Sequence, residues 1–225
     1  REDSWCCPEC GGPLDREDTD EDSDWRCRQC HFARPRPEWT LKGDMVTAPD
    51  GRTFSLSGLS LPGRANRSNA LVALAVVAQF GVPPEQALPL LSQVTSVAGR
   101  YTTVEHEGRS IRLLLSKNPA GWLEAFDVLQ PKPGPVVLSV NAQGPDGRDT
   151  SWLWDVDYRI LQGRPVWVTG ERRIDLAARL EAADVPFTVV EDIDQAVMAV
   201  PPGHLDVIAN YTAFQHIRTR YGRVV

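Results

Sequence analysis

Residues 111–129 read IRLLLSKNPAGWLEAFDVL. Ile111–Leu115 is a short apolar run, suited in length to a buried strand rather than a helix. The turn residues of SKNPAG lead into Ala120–Leu129, where Trp122 and Phe126 stand four apart and share one helical face. A strand feeding straight into a helix is the start of a βαβ unit. Downstream the alternation repeats. Strands are expected at Val136–Val140, Val166–Thr169, Phe187–Val190 and Val207–Ala209, and helices at Ser151–Leu161, Asp175–Ala183, Ile193–Ala199 and Ala213–Tyr221. This pattern predicts a mostly parallel α/β sheet covered on both faces. In such sheets function gathers on loops beyond the carboxyl ends of the strands. Two such loops stand out: SKNPAG at 116–121 and NAQGPDGRDTSW at 141–152.

Upstream, GRANRSNALVALAVVAQFGV (63–82) is apolar on nearly all sides from Ser68 to Phe80, which predicts a buried helix closed by Gly81. Pro83 and Pro84 open a second helix over 84–93. DMVTAPDGRTFSLSGLSLPG (44–63) alternates weakly about a Pro49-Asp50-Gly51 turn and reads as a β-hairpin. A domain boundary is expected near 97–100.

All five cysteines precede residue 31. Cys7 and Cys10 form one Cys-x-x-Cys pair, Cys27 and Cys30 another, with sixteen residues between. An odd, clustered set makes a poor disulfide framework, whereas paired Cys-x-x-Cys suits a metal in a reducing compartment. Four thiolates on tight knuckles are the ligand set of a zinc ribbon; zinc is favoured on ligand type, and iron stays open. Arg26, Arg28, Arg34 and Arg36 lie near enough in sequence to offset the charge of four thiolates. Cys6 is the spare, and His31 reads as a surface histidine. Four cysteine ligands close the coordination shell, so the site is structural and not catalytic. The run Asp15–Asp24 holds seven acids and reads as a solvated hairpin tip.

The chain has 225 residues and a net charge of −6, which argues against a nucleic-acid partner. No apolar run approaches the ~20 residues that span a bilayer, and no basic-then-apolar leader is visible. The first residue is Arg, from which the chain is expected to be a piece of a longer one. No Gly-x-x-x-x-Gly-Lys-Ser/Thr occurs, so an ATP enzyme would need its phosphate loop from elsewhere. His106, His204 and His216 lack partners at metal-ligand spacing and read as surface or satisfied histidines.

Several motifs then agree. GRANRSNALVALAV (63–76) resembles the Gly-x-x-Asn-x-x-Asn-Ala helix start of the Mur ligases. KNPAG (117–121), DGRDTSWLWDVDY (146–158), TGERRIDLAARLEAADVPF (169–187) and NYTAF (210–214) resemble the C-terminal domain of the MurT family, the Mur ligase-like subunits of lipid II isoglutaminyl synthase. That family also carries a four-cysteine ribbon inserted in its central domain, followed by an Arg-Pro-x-Pro stretch such as ARPRPEW (33–39). The resemblance implies a zinc ribbon insertion at 1–38, the remainder of a Mur ligase central domain at 39–98, and a Rossmann-like α/β C-terminal domain at 99–225. It implies a subunit of an ATP-dependent, glutamine-hydrolysing ligase that amidates the D-glutamate α-carboxyl of the lipid II stem peptide. ATP with Mg²⁺ would serve the full-length protein, Zn²⁺ the ribbon, and a GatD-type glutaminase would be the partner. The implied location is cytoplasmic, at the inner face of the plasma membrane. Membrane contact would come only through the lipid-linked substrate or an N-terminal segment. This stretch alone is expected to be inactive.

The resemblance also implies roles for particular residues. Asn69, with Asn66 beside it, would contact adenine; the plainer reading is that both serve the helix start. Arg100 follows Gly99 and would approach the nucleotide phosphates, against a plain surface arginine. Lys117 and Asn118 would touch phosphate or substrate, against a loop that merely starts a helix. Related ligases have an acid and a histidine where this chain has Leu114 and Lys117, which puts ribose contact through that acid in question. Asp149 would lend its carboxylate to the partner's cysteine–histidine pair; the plainer reading is a helix cap. Asp155, Asp157 and Asp146 are runners-up. Of Trp152 and Trp154, two apart, one is expected in the core and the other facing a partner. The rival readings are a non-catalytic zinc-ribbon scaffold and another Mur-type amino-acid ligase.

Overall fold

The computed structural model describes residues 5–16, 24–95, 100–129 and 133–221. The chain divides into two compact units, Arg1–Ser55 and Leu56–Val225.

In the first unit, β1 (Leu14–Arg16) pairs antiparallel with β2 (Trp25–Cys27), with Leu14 opposite Cys27. The acidic tip expected between them lies mostly outside the described residues. A second sheet runs β3 (Thr40–Lys42), β4 (Met45–Thr47) and β5 (Thr53–Ser55), all antiparallel. Val46 stands opposite Phe54, and both are buried. The hairpin expected over 44–63 is therefore a three-stranded meander that ends at Ser55. Asp50 accepts the Arg52 N–H at 3.0 Å and fixes its second turn.

The second unit begins with α1 (Arg64–Gln79) and α2 (Pro84–Leu91). Gly81 has φ +78°, and the Val82 N–H reaches back to the Val77 carbonyl, so this glycine closes α1 as expected. The helix is not buried, however. It starts four residues earlier than the apolar run and buries only Ala70 and Leu74; Val72, Val76 and Phe80 are exposed. Residues four apart form one stripe, and only that stripe is covered in this unit.

The six-stranded sheet has the order β10-β9-β8-β11-β7-β6. Its strands are β6 (Tyr101–His106), β7 (Arg109–Leu115), β8 (Val136–Ser139), β9 (Val166–Thr169), β10 (Thr188–Val189) and β11 (Gly203–Ala209). All neighbours pair in parallel except β6, which is antiparallel to β7. That edge strand was not expected from the sequence. It is joined to β7 by Glu107 and Gly108, both at positive φ, a two-residue hairpin turn whose twist suits the strands. One face of the sheet carries α3 (Pro119–Leu129) and α4 (Arg173–Glu181), and the other α5 (Ile193–Ala199) and α6 (Tyr211–Tyr221). Trp122, Phe126 and Tyr158 form the aromatic centre of the first face, with Trp122 5.8 Å from Phe126 and 5.6 Å from Tyr158 between ring centres. Ile193, Val197, Phe214 and Ile217 pack on the second face against Ile111, Leu113 and Val207. Every residue of β8 is buried, as a central parallel strand covered on both faces requires.

The expected helix Ser151–Leu161 is two short 3₁₀ turns, Ser151–Asp155 and Tyr158–Leu161. Two contacts break it. Arg179 of α4 donates to the Leu153 carbonyl (3.1 Å) and the Val156 carbonyl (2.9 Å), occupying acceptors a continuous helix would use internally. Asp157 accepts the Arg159 N–H and caps a fresh turn. No helix among the described residues is long and apolar enough to cross a membrane.

Candidate functional site

The four paired cysteines come together as their spacing requires. The Sγ atoms of Cys7, Cys10, Cys27 and Cys30 all lie within 4.8 Å of one another. Cys7 and Cys30 are 3.6 Å apart, Cys10 and Cys27 3.4 Å. Four thiolates at ~2.3 Å from a tetrahedral zinc would sit about 3.8 Å apart, so the cluster fits the group. Backbone amides point at two of the sulfurs, the Gly12 N–H at Cys10 Sγ (3.4 Å) and the Gln29 N–H at Cys27 Sγ (3.3 Å). The Gln29 amide, foremost among several influences, brings the Cys27 thiol down to about 7. Positive φ at Gly11 lets the first knuckle turn. Cys6 lies outside the four-sulfur cluster.

The second constellation sits beyond the carboxyl edge of the parallel strands. There β7 ends at Ser116, Lys117 and Asn118, β8 opens into residues 140–150, and β11 ends at Asn210. The long loop after β8 is pinned along its length. At its root the Asn141 N–H donates to Asn210 Oδ1 (3.0 Å), and Asn210 Nδ2 donates to the Asn141 carbonyl (2.7 Å). Glu171 accepts the Ala142 N–H and the Gln143 amide. Gly170, at φ +92°, lets β9's exit pass so close that a Cβ there would stand 2.6 Å from the Val140 carbonyl. Farther along, Asp146 accepts both the Thr212 N–H and its hydroxyl. At the far end the Thr150 hydroxyl donates to Asp175 and accepts from Arg172.

Between these last anchors stand Gly147, Arg148 and Asp149, all exposed. Asp149 Oδ1 accepts the Ser151 N–H at 2.8 Å and closes a local turn; the cap position of the 3₁₀ turn that follows is Thr150, not Asp149 as its plainer reading expects. That N–H, with the Ser151 side chain, keeps the Asp149 carboxyl below the usual carboxylate range, hence charged at neutral pH. The runners-up separate. Asp157 is engaged by Arg159 at 2.7 Å, Asp146 by Thr212, and Asp155 is exposed. Trp152 packs on Trp122, while Trp154 is 62% exposed.

The remaining candidates fall into two places. Arg100 precedes β6, and its carbonyl accepts the Leu115 N–H at 2.9 Å, so Arg100 and Lys117 flank the same strand end. Both are exposed. Asn118 Oδ1 accepts the Gly121 N–H and caps α3, which is its plainer reading. Asn66 and Asn69 lie on α1. Asn66 donates to the Pro62 carbonyl at 2.6 Å within its own turn, and Asn69 is exposed. The first turn of α1 is tied to α3, since the Ala65 N–H donates to Glu124 Oε2 at 2.9 Å. Asn141, Glu171, Asn210 and Thr212 escaped sequence reasoning because their partners lie 29 to 69 residues away along the chain.

Comparison with known proteins matches residues 115–214 to the family described as MurT ligase C-terminal. The chain is 31% identical over 92% of its length to the lipid II isoglutaminyl synthase (glutamine-hydrolyzing) subunit MurT of Staphylococcus aureus, covering 50% of that protein. It is 27% identical over 94% of its length to the subunit of the same name from Streptococcus pneumoniae, covering 51% of it. The chain thus spans about half the length of these curated relatives. Among solved structures, Mycobacterium tuberculosis folylpolyglutamate synthase complexed with ADP superposes with a TM-score of 0.56 at 20% identity, over 80% of this chain and 44% of that one. This likeness shows a Mur ligase-type α/β fold. Residues 115–214 thus form a domain of the MurT ligase C-terminal family, within a chain that is similar to MurT subunits over nearly its whole length.

Proposed function

We propose that the chain is part of the ligase subunit of an ATP-dependent, glutamine-hydrolysing amide ligase, and that it amidates the D-glutamate α-carboxyl of the lipid II stem peptide. The reading follows the names of the relatives, which are subunits of such a synthase. A carboxylate is a poor electrophile because its charge repels nucleophiles. Phosphoryl transfer from ATP gives an acyl phosphate; ammonia then attacks its carbonyl carbon, and phosphate leaves. On this reading residues 39–98 continue a nucleotide-binding central domain and residues 99–225 form the C-terminal domain. Arg100 and Lys117 are the exposed cations at one strand end that suit phosphate contact. Asn69, with Asn66, suits the adenine edge, where an amide both donates and accepts. Asn118, next to Lys117 in the chain, caps α3. The four-cysteine cluster holds zinc in a purely structural role.

Ammonia comes from a GatD-type glutaminase partner with a cysteine–histidine pair. Asp149 accepts the histidine's distal N–H, fixes its tautomer and stabilises its charged form, so that the thiol is activated. The observation that carries this role is the setting of Asp149: an exposed, charged carboxylate at the tip of a loop anchored on both sides. The test uses the full ligase subunit reconstituted with its glutaminase. Asp149→Asn keeps the shape and the complex but removes the charge. Glutamine-driven amidation is expected to fall at least ~10²-fold, while amidation from added ammonium stays within about twofold. Full glutamine-driven activity in Asp149→Asn would refute the role.

A further inference from the structure

Asp146 lies three residues before Asp149, on the same loop, yet its carboxylate faces inward. It accepts the Thr212 N–H at 3.1 and 3.3 Å through its two oxygens and takes the Thr212 hydroxyl as well. Thr212, 66 residues further along the chain, is the second residue of α6, so Asp146 caps that helix from a distant loop. That helix follows β11, the strand paired directly with β8, from which the loop departs. The clamp therefore ties the loop to the sheet's central pair of strands. A cap bonded to charged carboxylate is stronger than a neutral one, and the helix dipole adds to it. Thr150, hydrogen-bonded to Asp175 and Arg172, is the next anchor. Only three residues span the gap, and Gly147, at φ +76°, turns the chain within it.

We propose that Asp146, acting with Thr212, is a positioning residue for transfer of ammonia from glutamine: it sets where the Asp149 carboxylate stands for the partner's histidine. This rests on the role proposed for Asp149. Asp146 itself touches neither substrate nor the reacting atoms. Releasing it leaves the Asp149 charge intact but lets the tip of the loop drift, and a misplacement of about 1 Å is enough to cost ~10²-fold in a pre-oriented reaction.

The test measures amidation by the reconstituted complex, with glutamine and with ammonium as alternative donors. Asp146→Ala is expected to lower the glutamine-driven rate ~10- to 100-fold, with kcat affected more than the KM for glutamine. Its ammonium-driven rate and its co-elution with the glutaminase are expected to be unchanged. Thr212→Val, which keeps the amide but removes the hydroxyl, should show a smaller loss of the same kind, and Thr212→Ser should restore the rate. In an Asp149→Asn background, Asp146→Ala should have no further effect, since both act through one carboxylate. Equal losses with both donors, or loss of the complex, would make Asp146 a fold residue and overturn the proposal. So would an unimpaired Asp146→Ala enzyme alongside a disabled Asp149→Asn enzyme. An unimpaired Asp149→Asn enzyme would instead strike at the underlying reading.

Discussion

The Arg179 guanidinium lies 4.7 Å from the centre of the exposed Trp154 ring and at the same time holds the Leu153 and Val156 carbonyls. One side chain of α4 thus dictates the path of the chain just after Asp149. Its five donors and flat cation allow hydrogen bonding and ring stacking together, which lysine cannot match. Arg179→Ala strands two carbonyls and unstacks Trp154. The expected loss is about 2–4 kcal/mol in urea unfolding, and Arg179→Lys should recover less than half. A variant as stable as the parent would show that the path is held by the buried Leu153, Val156 and Tyr158 alone.

Acid should destabilise the second unit in a defined window. Asp194 pairs with Arg220 at 2.9 Å and accepts the Tyr221 hydroxyl. The Arg220 guanidinium foremost, then the Tyr221 hydroxyl, holds its carboxyl below the usual range. A carboxyl depressed in the folded state contributes stability above its unfolded value, about 4, and loses it as pH falls toward the folded value. Asp157, depressed by Arg159, and Asp149, depressed by Ser151, act with the same sign. The urea midpoint should therefore gain nothing from these groups between pH 5 and 7 and drop below about pH 4. Asp194→Asn should lower the midpoint at pH 6 and flatten the acid slope. An unchanged slope would mean that the pair is equally formed in the unfolded chain.

The ribbon should carry one metal ion per chain, held by four of the five cysteines. Cys10→Ser and Cys27→Ser should lose bound zinc by elemental analysis, and Cys6→Ser should keep it, because Cys6 stands outside the cluster. A strong chelator should release the ion and free the thiols to a colorimetric reagent. Zinc loss in Cys6→Ser would show that the first knuckle uses a different register.

How much of this was legible in the sequence depended on the distance over which each feature is encoded. Cys7, Cys10, Cys27 and Cys30 were readable because each pair shares one local turn. The parallel strands β7, β8 and β9 were readable as apolar runs, since both of their faces are buried. Tyr101–His106 was missed because an edge strand is covered less and its side chains alternate too weakly to stand out. Ser151–Leu161 was misread because its helix-like composition is overridden by Arg179, a residue from another element. The run 68–80 suggested burial on all sides, yet only the Ala70–Leu74 stripe is covered. Asp149 was singled out through its motif, whereas the Asp146–Thr212 hydrogen bonds three residues before it were not. Nothing local links Asp146 to Thr212; only the adjacency of β8 and β11 does so.

The role proposed for Asp149 is to supply a carboxylate to a catalytic pair on another chain. The most direct measurement is a structure of the full ligase subunit bound to its glutaminase, read for the gap between the Asp149 carboxylate and the partner's reactive histidine. Hydrogen-bond contact with the imidazole nitrogen turned away from the thiol is expected, at ~2.6–3.2 Å. An Asp149 facing solvent, with another acid in that place or none within reach, would contradict it.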